Sequence, residues 1–197
     1  MRLTTNFATG CLAILLLAPA AFAQKPAPET YEATLTGVSA TGTLKIEVLT
    51  WSDAAAREAV VSALGEENEL AKALDKLPSV GAVWQSGSAV GHSIKYAERA
   101  SEADGTQRIT LVTTKPLDSY SFKPWTLTSG TAAPKLPYGV IELKVDAKGN
   151  GTGTLSLAAE VAIDTAAHTV RLKTGNGTPT LLTGVKLAPK PYWAGHQ

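Results

Sequence analysis

A chain of 197 residues with 18 Lys and Arg, 17 Asp and Glu and a formal net charge of +1 is long enough to bury one substantial core. It is too evenly charged to hold a nucleic acid, which needs a clustered basic surface. Its single cysteine, Cys11, excludes an intramolecular disulfide and leaves stability to packing.

The first segment predicts export. Arg2 supplies a positive end, residues 11–19 a short apolar run, and Ala21-Phe22-Ala23 a small-x-small cleavage pattern, so residues 1–23 read as a signal peptide. The run is shorter than the roughly 20 apolar residues of a membrane span, which predicts no permanent membrane anchor. Cleavage would leave a cysteine-free chain with 17 basic and 17 acidic residues, periplasmic or extracellular, of bacterial origin. Residues 24–29 form a Pro-containing disordered leader, and residues 30–197 are expected to be one globular, β-rich domain.

Residues 30–38 and 43–49 alternate apolar and polar, with Leu44, Ile46 and Val48 on one face and Thr43, Lys45 and Glu47 on the other, and so predict a hairpin. The period then changes. Ser52 or Asp53 can cap a helix over 54–64, and a second helix over 66–77 carries Leu70, Ala73, Leu74 and Leu77 as its stripe with Pro78 just beyond. This two-helix insert, 53–77, holds six acids against three bases, which a solvated helix face explains. Strand periodicity returns at 80–86, 89–97 and 106–114, with Gly87-Ser88 as a tight turn between the first two. The stretch 115–137 is broken by Pro116, Pro124, Pro134 and Pro137 and predicts an irregular segment wrapping the sheet. A long hairpin follows: Ile141, Leu143 and Val145 run out, 147–151 turns, and Leu155, Leu157, Ala159, Val161 and Ile163 return. Strands over 168–173 and 180–187 complete about nine. The fold class expected is α+β, a mainly antiparallel twisted sheet or small β-sandwich with helices packed on one side; a closed barrel with a helical lid is the alternative.

Signatures of chemistry are thin. Gly87-Ser-Ala-Val-Gly91 places Ala89 where a nucleophilic serine would stand. His92, His168 and His196 are far apart in sequence and lack the spacing of a metal site. The glycine-rich segments near 149–153 and 175–177 lie between strands, whereas phosphate-binding loops need a helix after them. No catalytic residue, metal ligand or cofactor is therefore assigned. The candidate ligand-binding residues are aromatic: Tyr120, Phe122 and Trp125 in the proline-broken segment, with Tyr138 nearby in sequence, rings that could stack on a sugar or an apolar ligand.

Gly81-Ala-Val-Trp84, Gly91-His-Ser-Ile-Lys-Tyr96, the strand Ile109–Thr114 leading into Lys115-Pro116-Leu117, and the hairpin Pro137–Leu143 with Gly149–Leu155 resemble a group of short exported bacterial proteins of unknown function. The resemblance implies export, a single domain and the helix-pair insert, and no activity. The expectation is a non-enzymatic binding or interaction domain of the cell envelope, its partner an envelope protein or a small ligand. The alternative is an envelope hydrolase using His92 or His168 with a nearby serine. A further possibility is strand addition to a partner along an uncovered edge near Thr180–Leu187.

Overall fold

Alternation of apolar and polar residues puts one face of each strand toward a common interior. The structure, a computed structural model, describes residues 27–36, 42–64, 67–86, 88, 90–114, 138–156, 160–164, 169–173 and 180–189. In chain order these form β1 (Glu29–Thr36), β2 (Gly42–Val48), α1 (Ala54–Ser62), α2 (Glu67–Lys76), β3 (Gly81–Gln85), β4 (His92–Ser101), β5 (Gln107–Thr113), β6 (Val140–Val145), β7 (Gly151–Ser156), β8 (Glu160–Asp164), β9 (Thr169–Lys173) and β10 (Thr180–Leu187). Eight of the strands close into an antiparallel barrel in the order β1-β10-β7-β6-β5-β4-β3-β2, and β8 and β9 pair only with each other. The antiparallel, β-rich reading with a helix pair is thus seen, and the sheet takes the more specific form of a closed barrel.

The interior is filled by side chains. Leu44, Ile46, Val83, Ile94, Ile109, Leu111, Ile141 and Leu143 are fully buried in one cluster with Tyr31, Leu35 and Leu155, as an eight-stranded barrel permits. A bulge in β4 between Ile94 and Tyr96 reverses the alternation there. Ala97 consequently joins the interior while Tyr96 turns outward. The wall of β1, β2, β7 and β10 presents Glu32, Thr34, Thr43, Lys45, Thr152 and Lys186, partly or fully exposed, to the outside. Apolar inside and polar outside is the pattern of a barrel standing in water, the inverse of an outer-membrane barrel. Among the described residues no helix is long and apolar enough to cross a membrane.

The opposite wall is covered. Tyr96, Val112 and Val140 form a second cluster with Val60 of α1, Leu70 and Leu74 of α2, Tyr138, and Val170 of β9. The helices therefore lie against the side of the barrel instead of capping its mouth as a lid would. Asp53 is the N-cap of α1, its Oδ1 accepting the Ala56 N–H at 2.8 Å. Asp53→Ala is expected to cost about 1 kcal/mol, readable as a lower urea midpoint with an unchanged slope.

Three expectations are corrected. The long return strand over 155–163 divides: β7 belongs to the barrel and β8 to the separate hairpin, because alternation reports which face is buried but not which neighbour a strand takes. β10 keeps its expected bounds, yet β1 and β7 pair with it on its two sides, so Thr180–Leu187 offers no free edge for strand addition. The connection from β3 to β4 runs from 86 to 91, longer than a two-residue turn, with 87 and 89 outside the described residues.

Candidate functional site

On the wall of β10, β1, β2 and β3, which no other element among the described residues covers, strand register sets four side chains in one row. Glu32 of β1 stands opposite Lys186 of β10 and Lys45 of β2, and Lys45 stands opposite Trp84 of β3. Lys186 Nζ is 3.2 Å from Glu32 Oε2, and Lys45 Nζ lies 5.6 Å from the centre of the Trp84 ring, within cation–π reach. Trp84 is half-buried. A Cβ on Gly91 would stand 2.5 Å from its Nε1, so the indole lies close against bare backbone. Residue 91 must lack a side chain for the ring to sit there.

The next row toward the β1–β2 connection is one of hydroxyls. Thr34 stands opposite Thr183 on one side and Thr43 on the other, and the Ser86 N–H donates to the Thr43 carbonyl at 2.7 Å. Ser88 closes the end of this surface: its Oγ donates to the Val90 carbonyl at 2.9 Å and its N–H to the Gln85 carbonyl at 2.9 Å. Between the rows runs an open groove of about 520 Å³ lined by Trp84, Lys45, Glu32, Thr43, Gln85 and the two serines. It joins one aromatic ring to a carboxylate, an ammonium and several hydroxyls, while the Gln85 amide turns to the inner side beside Gly42.

Two other grooves differ in chemistry. One of about 520 Å³ follows the seam of α1 and α2 past Ala59, Ala63, Leu64 and Ala73, with the Glu69–Lys72 pair at 2.5 Å on its rim. That Lys72 ammonium lowers the Glu69 carboxyl below the usual carboxylate range. The other, about 310 Å³, crosses β6, β7 and β10 over Thr152, Thr154 and the exposed Leu181. Neither contains an aromatic ring.

Two polar clusters, the first partly exposed and the second buried, hold the fold. At the end of the barrel where the chain enters β1, the Tyr31 hydroxyl donates to Glu29 Oε2 at 2.7 Å, and Arg99 pairs with the same carboxylate and donates to the Tyr31 oxygen at 3.1 Å. The Arg99 guanidinium stacks 4.2 Å from the centre of the Trp51 ring, which packs against the core at that end. Burial, then the Glu29 carboxylate, pushes the Tyr31 phenol well above its ordinary value. On the covered wall Glu98 accepts the Val170 N–H at 2.9 Å and lies 3.2 Å from Arg57 of α1, while Thr110 Oγ1 donates to the Val170 carbonyl at 3.2 Å. Burial, with Glu98 second, raises the Tyr96 phenol likewise and keeps it protonated. Both clusters join elements of the fold to one another.

Of the four aromatic candidates, Tyr120, Phe122 and Trp125 fall in 115–137, outside the described residues. Tyr138 is 3 % exposed and packs in the cluster between barrel wall and helix pair. His92 is buried on the inward side of β4, and His168 lies outside the described residues. No group of three or more metal-ligating side chains occurs among the described residues. Trp84 escaped the sequence reading as a single site residue. Its signal was present, since in β3 the inward positions are Gly81 and Val83 and the large ring falls on the polar side. Comparison of the chain with protein-family models, with curated proteins and with solved structures finds no match, so the reading of the site rests on its own chemistry.

Proposed function

We propose that this chain is an exported, non-enzymatic binding domain of the bacterial cell envelope, and that the groove beside Trp84 is its binding surface. The observation that carries this reading is the row Lys186–Glu32–Lys45–Trp84 on a polar wall that no other described element covers. An aromatic ring with polar groups converging on it is the composition of a ligand site, and a rigid closed barrel holds it ready without reorganisation. The export reading supplies the setting, because residues 1–23 have the organisation of a signal peptide. The interior, filled with aliphatic side chains, makes the barrel a scaffold for surface recognition.

The test is a binding screen of the chain beginning at Gln24. Melting temperature is followed in the presence of soluble glycans, phospholipid vesicles and peptidoglycan fragments, and an amino-terminally tagged sample is used for capture from envelope extract. A ligand that binds the native state raises the melting temperature with its concentration. Saturation that is abolished by altering Trp84 supports the reading. Turnover of any of these probes would overturn the non-enzymatic assignment.

A further inference from the structure

The chemistry of the groove narrows what it can hold. A lipid chain needs a continuous apolar lining, and here Trp84 is the one large apolar side chain among Glu32, Thr43, Lys45, Gln85, Ser86 and Ser88. A phosphate or other compact anion needs cations free to converge on it, and both lysines of the row flank Glu32. A peptide adding as a strand needs an edge, and β1, β2 and β3 each pair on both sides. What remains is a ligand with one apolar face and a hydroxyl-studded rim.

From this we infer that the Trp84 groove binds a glycan, one sugar ring stacked on the indole and its neighbours laid along the wall toward Glu32 and the threonine row. The inference rests on the binding reading above and names its ligand class. Sugar rings carry their axial C–H bonds on one face, and an aromatic ring accepts that face while hydroxyls at the rim exchange hydrogen bonds with carboxylate and hydroxyl side chains. The geometry suits this division. The indole lies against Gly91, the Glu32 carboxylate is two strands away in the same row, and Thr43 is in the neighbouring row on the strand between them. Adjacent strands lie about 4.8 Å apart, so Trp84 and Glu32 are separated by about 10 Å, the reach of two sugar units. Lys45 stands between them over the ring and swings aside or donates to the incoming hydroxyls. An open groove of this kind takes a chain along its length, as the interior of a polymer would present itself, better than it encloses a single sugar.

The experiment titrates the chain beginning at Gln24 with chitohexaose, cellohexaose and maltohexaose while following the Trp84 indole N–H and the backbone amide resonances of β1, β2 and β3, the amides being the readout in the Trp84 variants. At least one hexaose is expected to shift that resonance in a saturable manner, with weaker binding of the corresponding disaccharide. Trp84→Ala should weaken binding at least tenfold, Trp84→Phe should retain part of it, and Thr43→Val, which preserves the shape of the wall, should weaken it less than Trp84→Ala does. Amide spectra superimposable with those of the parent chain show that each variant folds. Absence of a saturable shift with all three hexaoses overturns the glycan assignment, and so does binding that survives Trp84→Ala unchanged. The broader reading has its own failure: if envelope capture, vesicles and peptidoglycan fragments are also without effect, binding at this wall falls with it. A vesicle or protein ligand sensitive to Trp84 would leave the wall as the binding surface and remove only the glycan.

Discussion

Gly151→Ala is expected to destabilise the barrel by about 3 kcal/mol, the upper end of what forcing extra atoms into a packed site usually costs. Gly151 opens β7 and is paired on both sides, with Val145 of β6 and Val185 of β10. A Cβ there would stand 1.9 Å from the Lys144 carbonyl oxygen and 2.8 Å from its carbon. The obstacle is backbone, so no rotamer change relieves it. In an open sheet the strand could slide outward, but in a closed ring any displacement of β7 is transmitted to β6 and β10 and around to β1. For a domain of this size, that cost corresponds to a fall in melting temperature of about 6–12 °C. Gly105→Ala is the control. Gly105 has a φ of +81° in the β4–β5 turn, with nothing near the position of its Cβ, so it registers backbone strain alone, about 1 kcal/mol. Equal losses at the two sites would show that close approach at Gly151 is not what the barrel requires.

Glu98→Ala is expected to cost about 2–3 kcal/mol and to loosen the β8–β9 hairpin before the barrel itself unfolds. β9 makes no ladder with the barrel; it is held through Glu98, which accepts the Val170 N–H, and through Thr110, which donates to the Val170 carbonyl. These two side chains supply what a neighbouring strand would otherwise supply. Removal of the carboxylate leaves a buried N–H without its acceptor, the expensive side of a lost hydrogen bond. It also releases Arg57, whose side chain is 48 % exposed, so that the ionic contribution is screened and adds little. Glu98→Gln keeps an oxygen for Val170 and should lose less than half as much. Hydrogen exchange of the β8–β9 amides under native conditions reads the effect directly: protection there should fall in Glu98→Ala while that of β5 and β6 follows only the global change. Uniform loss across all strands would show that the hairpin and barrel behave as one unit.

Local structure was largely legible in the residues. The alternation of Leu44, Ile46 and Val48 marks the inward face of β2, Asp53 caps α1, and Leu70 and Leu74 form the buried stripe of α2. These signals depend on neighbours within a turn of helix or a few strand residues, where backbone geometry dictates which side chains share a face. The candidate site was less legible. The aromatic cluster at 120–138 was chosen for its density of rings in sequence, yet Tyr138 is packed beneath the helices. Trp84, Lys45 and Glu32 come from three strands, and their meeting is a matter of register. Three segments whose alternation is individually unremarkable become a site only when laid side by side.

By itself the sequence determined the periods, the helix cap, the even charge balance and the separation of an apolar from a polar face along each strand. Tertiary structure alone decided that the sheet closes: β1 meets β10, so that Thr36 and Thr183 share a hydrogen bond of 2.8 Å across 147 residues of chain. It also decided that β8 leaves the barrel, and that among the described residues the helices cover the β4–β5 wall and not the β1–β2–β3 wall. The reason is physical. Alternation encodes burial of a face, and the same alternation satisfies an open sheet, a sandwich or a barrel; the choice among them lies in non-local pairing, where twist, bulges and the close approach permitted by Gly151 bring the last strand back to the first.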